Sequence, residues 1–130
     1  NLPIIDFIEE YLNSHGVECH RVYNPAGDKA NLYANAGPAV DGGVILSGHT
    51  GVVPVVGQDW DTDPFKVVEK DGKLYGRGTC DMKGGLAASI IAVEALLEWM
   101  PGYPGSIEIS GTADEETGGY GGVAYLAEKG

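Results

Sequence analysis

The sequence predicts an α/β protein built as a three-layer α/β/α sandwich, and three observations carry that prediction. Short apolar runs alternate along the chain with helix-like patterns, the signature of strands and helices stacked in layers. The run Val44-Ile45-Leu46 has no polar alternation, the mark of a strand buried on both faces. The segment KGGLAASIIAVEALLEWM, residues 83–100, is apolar on nearly every side, as suits a helix buried inside such a domain rather than one on its surface.

The elements follow in order. Pro3 with Ile4, Ile5, Ile8 and Leu12 predicts an amphipathic helix that stops at His15-Gly16. Residues 17–23 predict a strand, followed by the turn Asn24-Pro25-Ala26-Gly27-Asp28. Residues 30–36 form a second strand, Asp41-Gly42-Gly43 a turn, and 44–46 the apolar strand. A loop rich in Gly, Pro and Asp runs to Phe65. Residues 66–69 and 74–75 flank Lys70-Asp71-Gly72-Lys73, a hairpin signal. After the apolar helix, residues 101–105 break the chain, 106–112 make another strand and 122–129 a final helix. There are no repeats and no low-complexity linker.

Length and composition narrow the function. The chain has 130 residues, about one domain's worth and enough for a single core. Its net charge of −11 argues against a nucleic-acid partner, whose backbone demands a positive surface. That acidity agrees with cation binding and equally with plain solubility. Two cysteines, Cys19 and Cys80, do not make a disulfide framework. With no membrane-length apolar run and no signal peptide, the expectation is a cytoplasmic protein without a membrane partner.

Three places carry possible chemistry. His49 follows a strand in SGHTGVVPV, where it is either a metal ligand or a hydrogen-bonded structural residue. His15 at a helix end and His20 on an edge strand are weaker candidates. Asp81 stands in GRGTCDMKGG just before the apolar helix, as a helix cap or as a carboxylate bridging two metal ions. The glycines around it let backbone approach closely. The stretch lacks the arrangement of a phosphate loop, which leaves a nucleotide binder as a remote reading. Glu115-Glu116 in TADEETGGYGG is a solvated acidic turn or a working pair, one carboxylate ligating metal and its neighbour acting as general base. Chemistry in such sheets gathers at the carboxyl ends of strands, where His49 and the acidic cluster both fall.

Taken together, SGHTGVVPVVGQDWDTDPF, DGKLYGRGTCDMKGG and SGTADEETGGYGG closely resemble successive motifs of the dinuclear zinc amidohydrolase and exopeptidase family. That family includes acetylornithine deacetylase, succinyl-diaminopimelate desuccinylase, aminoacylase and carboxypeptidase G. The first two stretches look most like acetylornithine deacetylases, whereas KGGLAAS and DEETGGYGG lean towards desuccinylases. The resemblance implies the N-terminal part of a zinc-exopeptidase-like catalytic domain. It makes His49 a ligand of one metal, Asp81 the bridge between both, Glu116 a ligand of the second and Glu115 the general base. The implied cofactor is a pair of zinc ions, with cobalt as a substitute. The implied reaction is hydrolysis of the amide of an N-acyl amino acid, acetylornithine-like, by an enzyme that is a homodimer when full length.

The sequence departs from that pattern in two ways. The family motif is His-x-Asp, and the Asp position here is Gly51. Losing a carboxylate that orients a liganding histidine costs on the order of 10–100-fold in metal affinity or activity, unless water or a backbone carbonyl substitutes. The further ligands and the dimerisation domain implied by the resemblance are not among the 130 residues, so residues 1–130 are expected to be a partial catalytic domain, inactive alone and prone to associate. A degenerate, non-catalytic module with at most one weak cation site is the reading from a different class.

Overall fold

The computed structural model describes residues 1–129. Helix α1 (Leu2–Ser14) leads into strands β1 (Cys19–Tyr23), β2 (Ala30–Ala36) and β3 (Val44–His49). A small hairpin of β4 (Val68–Lys70) and β5 (Lys73–Tyr75) precedes helix α2 (Lys83–Trp99), strand β6 (Ile107–Thr112) and helix α3 (Val123–Lys129). Each element agrees with its expected position to within a few residues at its ends.

The main sheet runs β1-β2-β6-β3. β1 and β6 each lie antiparallel to β2, while β3 lies parallel to β6. Alternation along β2 splits its side chains between two faces. Ala30, Leu32, Ala34 and Ala36 point to the core. There they meet Ile5, Ile8 and Leu12 of α1 and Leu86, Ile90 and Val93 of α2. The two helices share that face, and Tyr11 of α1 donates its hydroxyl to Glu94 of α2 at 2.7 Å. The opposite face carries Tyr33, Glu108 and Ser110, which with Leu126 of α3 line one cleft. Helices on both faces of a mixed sheet make the α/β/α layering.

Local chemistry explains the ends. Pro3 sits in the first turn of α1, where its missing N–H costs nothing. His15 closes that helix, and its Nε2 meets Glu94 at 2.9 Å. Asp71 and Gly72 both take left-handed backbone, which matches a two-residue hairpin turn to the twist of β4 and β5.

Two expectations about burial are corrected. β3 is an edge strand among the described residues: Val44 is 56% and Ile45 63% exposed. An unalternated apolar run records that both faces suit burial; it does not record whether neighbours are there to cover them. Likewise α2 buries only the stripe Leu86, Ile90 and Val93, leaving Ile91 and Trp99 in solvent. No helix among the described residues is long and apolar enough to cross a membrane.

Candidate metal centre

The parallel pairing of β3 with β6 builds the site. His49, the last residue of β3, is in register with Thr112, the last of β6. The chain leaving β6 turns at once into a 3₁₀ turn, Glu115–Thr117. Both carboxyl ends therefore open on the same side of the sheet, and the loop before α2 brings Asp81 to it.

The acidic loop after β6 is a packed turn rather than a loose one. Asp114 takes left-handed backbone and its carbonyl accepts from the N–H groups of Thr117 and Gly119. A side-chain carbon at Gly122 would fall 1.9 Å from the Ala113 carbonyl oxygen, so only glycine fits there. At the start of α2, one at Gly84 would fall 2.1 Å from the Thr79 carbonyl oxygen. The glycines of both motifs allow backbone to pass against backbone beside the site.

His49 is 5% exposed, and both ring nitrogens have partners. Nδ1 lies 3.1 Å from the Gly51 carbonyl oxygen and Nε2 lies 3.0 Å from Asp81 Oδ1. A carbonyl and a carboxylate only accept, so Nδ1 donates to Gly51, and Nε2 faces Asp81 with a proton or a cation between them. Glu115 Oε2 stands 3.5 Å from the same nitrogen. Asp81 does not cap α2: Met82 holds the cap position with no side-chain hydrogen bond, and the Asp81 side chain is 71% exposed.

His49, Asp81 and Glu116 each offer one donor atom, and the three atoms lie within 4.8 Å of one another. Donors set tetrahedrally about 2.0–2.1 Å from zinc stand about 3.3 Å apart. The His49–Asp81 separation is close to that value, and the Asp81 carboxylate is exposed enough to adjust. One imidazole and two carboxylates are also a donor set that zinc accepts. The residues fit a divalent cation.

The acidic triplet divides. Asp114 turns away to an ion pair with Lys29, and that carboxylate holds the lysine's pKa above its ordinary value. Glu115 and Glu116 remain beside His49. The remaining histidines serve elsewhere: His15 pairs with Glu94, and the His20 ring lies against Tyr33 with centroids 5.1 Å apart. Two features were not legible in the residues alone. One is the ion pair joining Lys29 to Asp114 across the fold; the other is the placement of Lys83 in a cavity beside Glu116. The basic residue beside the Asp81 motif was the only signal for the second.

Residues 45–130 match the peptidase family M20/M25/M40. The chain is 43% identical over 113 residues to succinyl-diaminopimelate desuccinylase of Bordetella petrii, covering 84% of this chain and 28% of that protein. It is 38% identical over 125 residues to the Methylococcus capsulatus protein of the same name, covering 95% of this chain and 32% of the relative. The chain thus spans about three-tenths of the length of these curated relatives. Among solved structures it resembles human carnosine dipeptidase 1, with a TM-score of 0.83 and 30% identity over 98% of this chain and 29% of that one. An M20 metallo-carboxypeptidase from Sulfolobus solfataricus shares the fold, with a TM-score of 0.81 at 23% identity over 95% and 28%. The two sequence relatives are named succinyl-diaminopimelate desuccinylase, and the expected likeness to acetylornithine deacetylase is not supported by them. Sheet order, parallel strand ends and the sequence match lead to one conclusion: the chain belongs to peptidase family M20/M25/M40.

Proposed function

We propose that these residues form part of the metal centre of an amidohydrolase that cleaves N-acyl amino acids, with a succinyl-type acyl group as the finer reading. The observation that carries it is the convergence of His49, Asp81 and Glu116 within 4.8 Å. Those three would hold a divalent ion, zinc by their chemistry and cobalt as a substitute. When bound, such an ion polarises the acyl carbonyl and makes a nearby water more acidic.

The chain's own residues supply the rest. Gly51 fixes the ring of His49 through Nδ1, which leaves Nε2 pointing at the carboxylates. Glu115 lies outside the three-donor group yet 3.5 Å from Nε2, close enough to work on a water there and free to take its proton. The water oxygen bonds to the acyl carbon and the carbon–nitrogen bond breaks. Glu115 then returns the proton to the departing amine, so the products are a carboxylate and a free amino group. The finer assignment, with His49 a ligand of one ion, Asp81 the bridge between two and Glu116 a ligand of the second, belongs to the same proposal together with a homodimeric parent, supported by the family resemblance. So does the reading of residues 1–130 as a partial catalytic domain.

One observation favours a second reading, a non-catalytic module with a single weak cation site: a neutral carbonyl rather than a carboxylate holds His49. Calorimetric zinc titration separates the two. We expect micromolar or tighter binding that D81N and H49A each abolish; no binding, or binding that D81N leaves intact, defeats the metal centre. We also expect the purified 130-residue chain to be inactive. Chelator-sensitive release of succinate from N-succinyl-diaminopimelate by this chain would contradict that.

A further inference from the structure

Of the largest fully buried side chains among the described residues, Ile5, Leu32, Ile109, Val93 and Asn31, only Asn31 is polar. A buried amide is costly unless its hydrogen bonds are made, so its partners carry information. Oδ1 accepts from the Ala113 N–H at 2.8 Å, and Nδ2 donates to the Gly121 carbonyl oxygen at 2.8 Å. Nδ2 also faces the Val22 carbonyl oxygen at 3.5 Å. Ala113 and Gly121 are the two ends of the acidic turn, and Glu115 and Glu116 lie between them. One side chain on β2 therefore closes that loop at both ends. The loop has reasons to open. Glu115 and Glu116 stand with Asp81 around His49, and like charges repel until a cation lies among them. Gly118, Gly119, Gly121 and Gly122 give the segment unusual conformational freedom to lose. The bonds from Thr117 and Gly119 to the Asp114 carbonyl shape its tip but tie nothing to the sheet. Two side chains near the start of β2 do: Lys29 through the Asp114 carboxylate, and Asn31 through backbone at both ends. An amide suits the task because it accepts and donates at once and adds no charge to an acidic site.

We propose that Asn31 is the positioning residue of the metal centre, clamping the 113–121 loop so that Glu115 and Glu116 stand beside His49 before a cation arrives. This rests on the metal-centre reading, because only a bound ion turns the position of the loop into affinity. Asn31 bonds to none of the donor atoms itself and acts through the loop backbone. With the loop already set, cation binding does not have to order it, which is the gain of preorganisation. Losing outer support of this kind costs a metal site roughly 10-fold or more in affinity.

The test uses the 130-residue chain with cobalt, whose visible absorption reports the geometry of the groups around it. Amide hydrogen exchange of residues 113–121 is followed by NMR without metal. N31A is compared with I5V, which thins the core on the opposite face of the sheet. We expect N31A to bind cobalt roughly 10-fold more weakly and to absorb less per bound ion, as Glu116 gives way to water. Its loop amides should exchange about tenfold faster, the worth of one hydrogen bond. I5V should lose stability yet keep the wild-type cobalt affinity, spectrum and loop exchange. N31L, which fills the same space with no polar atom, should behave as N31A does. Recovery in N31L would make the residue a space filler and overturn the proposal, as would an equal loss in I5V. Rapid exchange of the Ala113 N–H or of the Asn31 side-chain amide in the metal-free wild type overturns it without any variant. If the wild type binds no cobalt, the metal reading falls, and the metal-free exchange rates still decide whether Asn31 holds the loop.

Discussion

At the residue scale the centre turns on His49 and on what stands two positions after it. The family resemblance implies a carboxylate there, and this chain has Gly51, whose carbonyl takes the Nδ1 proton at 3.1 Å. A carbonyl selects the same ring tautomer as a carboxylate but adds no negative charge behind the ring, so Nε2 is a poorer donor to metal. Gly51 is not left-handed, and a side-chain carbon built on it meets nothing within 4 Å. G51D should therefore fold normally and bind zinc roughly 10-fold or more tighter, as read by competition with a coloured chelator. An unchanged or weaker affinity would mean that the backbone carbonyl already does the whole job. His49 was legible as a candidate ligand only because Asp81 and Glu115-Glu116 follow it in order; alone, a histidine after a strand reads as well as a structural residue. Its orienting group was not, because every residue has a carbonyl and only geometry selects one.

At the element scale, strand β3 does two things at once. Its carboxyl end delivers His49 beside Thr112, and its amino end leaves Val44 and Ile45 open. An uncovered edge with exposed apolar side chains is a template for pairing with another chain. We expect the chain to self-associate at high micromolar concentration and I45K to shift sedimentation towards monomer without changing zinc affinity. A wild-type chain that sediments as monomer throughout would remove the edge as an association site. Helix α2 repeats the lesson. Its apolar composition predicted full burial, yet one stripe packs and Ile91 and Trp99 stay in solvent. Composition fixes what a helix tolerates; the number of layers laid over it fixes what it buries.

For the whole molecule, the core that unites α1, α2 and the sheet makes one contribution to stability depend on alkaline pH. Cys19 lies half-buried at the margin of that core, and burial pushes its thiol pKa up to about 11. A thiol is neutral when protonated, so the folded state holds its proton to higher pH than the unfolded chain does. The resulting stability is complete below about pH 9, the ordinary thiol value, and is lost as pH rises through about 11. Urea midpoints should fall between those limits, and the fall should be shallower in C19A; parallel curves for the two proteins would exclude Cys19 as the cause. The sequence by itself determined the order of helices and strands and the residue types of the centre. Turn chemistry and apolar periodicity are local, and three carboxylate- or imidazole-bearing motifs in order leave few alternatives. Only the tertiary structure decided which of those groups meet. The parallel pairing of β3 with β6 draws His49, Asp81 and Glu116 together. A lysine distant in sequence removes Asp114 from the cluster, and Lys83 comes to face the cavity. Such contacts depend on strand register and on the separation of side chains in space, which no local pattern encodes.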